Sequence, residues 1–186
     1  MNSRDAILAA ALRRLNTDPR ASMTDMAGAA GVGRATLHRY FSSRDELLHE
    51  LGTRSLNRWE QSMTDADLPG VIESGDPDRI RECLRELLRR YLADYDEFGF
   101  ALIDPYLRTA PDLVERTEEL AERESALLAA GQRAGVLRAD LPPRWLSFAV
   151  YGVLVAARDA TTSGRVARHD LDEFVISTYF DGTAAR

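Results

Sequence analysis

Apolar residues recur along most of the chain at spacings of three and four, as in helices that bury one face, and no stretch alternates as a half-buried strand does. The first segment starts after Ser3, a good N-cap, and carries Ile7, Leu8, Ala11, Leu12 and Leu15 before Asn16-Thr17-Asp18-Pro19 ends it. A short second helix is predicted after Ser22, with Met23, Met26, Ala27, Ala29 and Ala30. Gly31-Val32-Gly33 breaks it, because glycine readily takes the left-handed backbone of a tight exit. A third helix covers 34–40 and sets Leu37 and Phe41 on one face at i, i+4. A fourth starts near Ser43 and runs through Leu47, Leu48, Leu51, Leu56 and Trp59 to about Met63. Pro69, Gly70 and Gly75 mark residues 65–75 as a loop.

Beyond that loop, Asp76-Pro77-Asp78 supplies an N-cap, a proline at the first helical position and an acid at the positive end of the helix dipole. Ile80, Cys83, Leu84, Leu87, Leu88, Tyr91, Leu92 and Tyr95 then form an apolar stripe. Residues 98–108 are aromatic-rich and interrupted by Asp104-Pro105. Pro111 and Asp112 open a long helix through Leu113, Leu120, Leu127 and Leu128 to Ala134, and residues 135–142 form a turn. Two last helices follow, about 143–163 and 170–181, so the fold class is all-α.

Within 22–41, a small apolar helix, a glycine turn and a donor-rich second helix make a helix-turn-helix pattern, which places its second helix in the DNA major groove. Arg34 and Arg39 can bridge guanine edges or phosphate, and Thr36 can donate to phosphate or pack on a thymine methyl. The Tyr40 hydroxyl suits phosphate, as do Ser22, Ser43 and Arg44 at helix N-termini. His38 reads either as an exposed polar contact or as a source of pH sensitivity.

Charge sharpens this picture. The whole chain of 186 residues has a net charge of −6, which by itself argues against nucleic acid. Residues 1–44, however, hold 7 Arg against 3 Asp, whereas the rest hold 17 Arg against 27 acids. A head of +4 on a body of −10 suits a protein that docks one end on phosphate. All 24 basic side chains are arginine, which we read as codon bias.

Ile7-Leu8-Ala9-Ala10-Ala11, the 22–41 block and Ser42-Ser43-Arg44-Asp45-Glu46-Leu47-Leu48 resemble, in order and spacing, the N-terminal domain of TetR-family (tetracycline-repressor-like) regulators. The resemblance covers about the first 50 residues; beyond them it is one of length and helical layout. It implies a helix-turn-helix DNA-binding domain over 1–48 and an effector-binding and dimerisation domain over 49–186. The implied function is a ligand-responsive transcriptional regulator, a repressor released from operator DNA by a small molecule. Alternatives are a constitutive DNA binder without effector, or an all-α ligand-binding protein or enzyme. The implied DNA-contacting set is Ser22, Arg34, Ala35, Thr36, His38, Arg39, Tyr40, Ser43 and Arg44. Two departures stand out: His38 sits where relatives most often have tyrosine, and Gly33 where a serine or threonine cap is usual.

In this family the last two helices pair across a two-fold axis. The small-residue stripe of 143–163 and the apolar side of the last helix therefore give a dimerisation set of Trp145, Ala149, Gly152, Val153, Ala156, Ala160, Phe174 and Thr178. An intrachain core is the plainer reading of the same stripe. Relatives also hold a ligand cavity in the body. That turns Trp59, Met63, Tyr91, Tyr95, Phe98 and Tyr106 into effector candidates, although aromatic residues at helical spacing also make ordinary core. Asp94, Asp96, Glu97 and Asp104 can tune such a pocket toward a cation or simply be solvated, and the Glu-rich run 115–124 reads as a wet helix face.

Other chemistry finds little support. The histidines (38, 49 and 169) are scattered, and no nucleophile–base spacing or metal-ligand cluster appears, so no catalytic residue, metal or cofactor is assigned. Cys83, alone of its kind and flanked by leucines, reads as a buried thiol rather than a redox sensor. No apolar run approaches the ~20 residues that span a bilayer, and the start lacks a signal-peptide core, so a cytoplasmic location is expected, and the resemblance implies a homodimer.

Overall fold

A computed structural model of the chain describes residues 3–185, with the side chains of Asp96 and Leu102 excepted. The helices are α1 (Arg4–Thr17), α2 (Met23–Ala29), α3 (Arg34–Tyr40), α4 (Arg44–Asp65), α5 (Leu68–Ser74), α6 (Pro77–Phe98), α7 (Pro111–Arg133), α8 (Pro143–Thr162) and α9 (Leu171–Thr183). Short 3-10 turns cover Gly99–Leu102 and Arg168–Asp170. Among the described residues there is no strand, only an isolated bridge between Leu137 and Ala184.

The sequence-derived boundaries hold closely except in one place. Residues 65–75, expected as a loop, contain α5. The prolines and glycines read as breakers are its punctuation. Asp67 caps it, its carboxylate accepting from Gly70 N at 3.4 Å, and Pro69 occupies the first turn, where a missing N–H costs nothing. Gly75, at φ +59°, ends it in the left-handed region that glycine enters freely.

Packing divides the chain into two compact units, Met1–Asn57 with Asp96–Arg116, and Arg58–Tyr95 with Thr117–Arg186. This is not the division at residue 48 read from the sequence. In the first unit, Ile7, Leu8, Ala11, Leu12, Leu15, Met26, Leu37, Phe41, Leu47, Leu48 and Leu51 form one core. Phe100, Leu107, Ala110 and Leu113 complete it from the distant 96–116 segment. Asn16 clamps that segment to α1. Its Nδ2 donates to the Glu97 carbonyl at 2.7 Å, and its Oδ1 accepts from Phe100 N at 3.0 Å. Gly52 lets α4 approach closely, since an added Cβ would lie 2.6 Å from a Leu107 methyl.

In the second unit, α6 to α9 bury Leu84, Leu87, Leu88, Leu120, Leu127, Leu128, Leu146, Val150, Leu154, Val175 and Tyr179. Gln132 fastens the α7–α8 turn by donating to the carbonyls of Arg138 (2.8 Å) and Leu141 (2.6 Å). Cys83 is buried here, and burial pushes its thiol up to about 11, which keeps it in the unreactive protonated form.

Candidate functional site

The helix-turn-helix is built as its sequence dictates. Ser22 and Asp25 form a reciprocal capping box at the start of α2, with Ser22 N donating to the Asp25 carboxylate at 2.8 Å and Asp25 N to the Ser22 hydroxyl at 3.2 Å. These bonds hold the Asp25 carboxyl below its ordinary value. They also occupy the Ser22 hydroxyl, which is expected to face phosphate and here donates to Asp25 at 2.7 Å. Of the two turn glycines only Gly31 is left-handed, at φ +65°. Gly33 is extended at φ −70° and caps α3 without a side-chain hydrogen bond, and a Cβ there would meet nothing within 4 Å.

On α3, Leu37 turns inward and Phe41 follows it into the core. Arg34, Ala35 and Arg39 are exposed, and Thr36, His38 and Tyr40 half-exposed. Arg34 Nε donates to His38 Nε2 at 3.4 Å, and the Arg39 guanidinium lies 5.3 Å from the Tyr40 ring centre. One short helix thus presents two guanidiniums, two hydroxyls and an imidazole toward solvent, donors of the kind that can read base edges and phosphates.

The start of α4 is less simple. Ser43 caps it, accepting from Glu46 N at 3.0 Å, while Ser42 donates through both its N–H (2.7 Å) and its hydroxyl (2.6 Å) to Glu46. Arg44, expected to reach phosphate, turns inward. Its Nε donates to the Ala21 carbonyl at 3.2 Å and its Nη2 to the Pro19 carbonyl at 2.7 Å, with the buried Asp104 carboxylate 3.7 Å away. The guanidinium pins the loop before α2 to α4.

The second unit encloses a cavity of about 10 Å³, the space of a single water. Its walls are Leu84, Leu87, Leu88 and Tyr91 of α6, Glu124 and Leu128 of α7, Val150 of α8 and Tyr179 of α9. Glu124 is 4% exposed. Ser147 donates to its carboxylate from α8, and the Tyr91 hydroxyl and Trp59 indole act on it as well. Trp59 Nε1 also donates to Tyr91 at 3.0 Å. Burial pushes the Glu124 carboxyl above its ordinary value against the pull of these donors and of Arg144. The Tyr179 hydroxyl is buried in the same wall with no partner at hydrogen-bond distance among the described residues. Burial raises its pKa as well.

Residues 7–51 match the family of bacterial regulatory proteins of the tetR type. The chain is 29% identical over 182 residues to the transcriptional repressor LfrR of Mycolicibacterium smegmatis, covering 97% of this chain and 89% of the relative. It is also 29% identical to the regulator NfxB of Pseudomonas aeruginosa over 168 residues, 85% of this chain and 84% of that one. The crystal structure of the TetR-like regulator LfrR from Mycobacterium smegmatis in complex with proflavine superposes at a TM-score of 0.71 with 26% identity, covering 96% of this chain and 94% of that one. The chain is thus similar to TetR-family regulators, in its head by the family match and along most of its length by these relatives.

The aromatic candidates fall into separate places. Tyr91 walls the cavity and Trp59 bonds to it, while Met63 is fully buried in the second unit. Tyr95 shares a 2.8 Å hydrogen bond with Thr161. Phe98 and Tyr106 pack on the core of the first unit. Asp94, a candidate for tuning the pocket, is taken by Arg58 (2.7 Å) and Ser62 (3.1 Å). Asp104 belongs with Arg44 in the first unit. Asp96 has a side chain outside the described set.

The carboxylate that does meet the cavity is Glu124, which the reading of 115–124 as a wet face passed over. A signal was present: Leu120, Glu124, Leu127 and Leu128 follow one another at i, i+4, i+7 and i+8, so the glutamate stands on the apolar stripe.

The α8–α9 surface is apolar and open. Trp145, Phe148 and Phe174 are 59%, 57% and 50% exposed, while Leu146, Ser147, Val150, Leu154 and Ala157 face inward from the other side of α8. Gly152, Ala156 and Thr178 are exposed, and Ala149, Val153 and Ala160 half-exposed.

Proposed function

We propose that this regulator acts in the cytoplasm as a homodimeric repressor whose two α3 helices enter successive major grooves of a palindromic operator, about 34–36 Å apart. The α8–α9 surface would form the two-fold interface, since three large exposed apolar side chains beside a small-residue stripe make a patch that monomers rarely leave open. A small molecule entering the second unit would favour a dimer that no longer spans the operator. Helix α4 supports this, because it is one continuous helix from Arg44, beside the DNA-binding motif, to the level of Trp59 and Met63. LfrR, crystallised with proflavine, supports an aromatic effector.

The observation that carries the reading is α3, a solvent-facing donor set within a stretch matched to the tetR-type head. The test is fluorescence anisotropy with DNA from upstream of the gene. Arg39→Ala is expected to weaken operator binding by about 1–3 kcal/mol. Unchanged affinity removes Arg39 from the contacts, and failure of the parent protein to bind at any salt concentration removes the DNA reading.

A further inference from the structure

We propose that the cavity among α6 to α9 takes an organic cation with a planar apolar body, and that Glu124 is the group that recognises its charge. This rests on the reading that the second unit holds the effector.

A carboxylate among leucines is costly to ionise unless something neutralises it. Around Glu124 the described groups are the Tyr91 hydroxyl on α6, the Trp59 indole on α4, Ser147 and Arg144 on α8 and Tyr179 on α9. Arg144 is the one cation among them; it acts on Glu124 through space, with its Nη1 buried and unpartnered among the described residues, and forms its ion pair with another carboxylate. Its Nη2 pairs with Glu118 at 2.5 Å, and its guanidinium lies 5.6 Å from the Phe148 ring centre. No described ion pair reaches Glu124.

The second observation is independent of the first. The Tyr179 hydroxyl, 2% exposed on the same wall, has no partner at hydrogen-bond distance among the described residues; Thr183 acts on it only weakly, its hydroxyl donating to the Tyr179 carbonyl at 2.7 Å. A buried polar group without a partner is rare enough to require a reason. A ligand with a hydrogen-bonding edge gives it one. The rings of Tyr91, Tyr179 and Trp59 add faces on which a delocalised cation is favoured.

The cavity, about 10 Å³, has room for one water. Entry of a planar cation therefore requires the helices to part, which makes binding and rearrangement one event. Burial makes the Glu124 carboxyl hold its proton more tightly than an exposed one, and an arriving cation beside it would weaken that hold and release proton to solvent.

The test uses the full-length protein and three probes: proflavine as a planar aromatic cation, acridine as its uncharged counterpart at neutral pH, and anilinonaphthalene sulfonate as an anion. The parent protein is expected to bind proflavine about tenfold or more tighter than acridine, and Glu124→Gln to lose that preference. Proflavine affinity should fall as the pH is lowered into the raised titration range of the carboxyl, and that pH dependence should vanish in Glu124→Gln. Calorimetry of the parent in buffers of different ionisation heat should show proton release, a readout that needs no variant to fold.

Equal affinity for proflavine and acridine, or a Glu124→Gln protein that keeps the preference and the pH profile, overturns the proposal while leaving an effector site intact. Absence of binding by all three probes overturns it together with the effector reading, and operator binding, measured separately, stands or falls on its own.

Discussion

Replacing Arg44 with alanine separates a structural arginine from one that holds DNA. In the structure its guanidinium donates to the carbonyls of Ala21 (3.2 Å) and Pro19 (2.7 Å) and lies 3.7 Å from Asp104. Hydrogen bonds from a charged donor contribute about 1.5–3 kcal/mol each when buried. The Arg44 side chain is 33% exposed, so the lower end applies, and the two bonds contribute roughly 2–3 kcal/mol together. Asp104, 3% exposed at its side chain, keeps the Tyr106 N–H at 2.9 Å but is left without its cation. The total destabilisation is about 3 kcal/mol, which for a chain of this length lowers the melting temperature by roughly 6–12 °C.

Circular dichroism on heating measures that shift. Operator binding across a salt series measures the other quantity, because a side chain that holds a phosphate adds about 0.9 to the slope of log affinity against log salt, and its removal takes that increment away. The structure requires a large thermal shift and an unchanged slope. A normal melting temperature with a reduced slope would refute the structural role and return Arg44 to the phosphate-binding set.

Two further outcomes follow from features outside the DNA-binding unit. Gly152→Glu places a charge where a Cβ meets nothing within 4 Å of its own chain, so the protein should fold normally and elute as a monomer on sizing chromatography; a persisting dimer moves the interface off α8. For Glu124, the folded state holds the proton more tightly than the unfolded one, so stability is highest where both states are protonated and falls as pH rises toward the raised value. Glu124→Gln stays neutral, and urea unfolding across a pH series should show the parent losing ground to it with rising pH; a pH-independent gap contradicts a buried, proton-holding carboxyl.

The head was legible because its signals are local. Ser3, Ser22 and Gly31 are caps and exits whose chemistry acts within a few residues, and α3 begins and ends where its pattern did. Helix α5 was missed for the same reason inverted: Pro69 and Gly75 punctuate a helix of two turns as readily as a loop, and length decides which. The unreadable part lies in long-range packing. Nothing near Arg44 in sequence announces the carbonyls of Pro19 and Ala21, and the aromatic character of Phe98 and Tyr106 fits a pocket as well as the first-unit core that the 96–116 segment fills. Glu124 lies between these cases, since its place on the apolar stripe was visible but the acids around it drew the eye to charge rather than phase.

That 96–116 segment bears on how such regulators can be recombined. A crossover at residue 48 would transplant helices stripped of Phe100, Leu107, Ala110 and Leu113 and would leave Asn16 without the backbone it grips. A graft that is to fold must carry Met1–Asn57 and Asp96–Arg116 as a matched pair, and the intervening Arg58–Tyr95 must stay with Thr117–Arg186, the other compact unit. Two stretches separated by 38 residues of chain are therefore one unit of inheritance, and drift in one is answerable to the other.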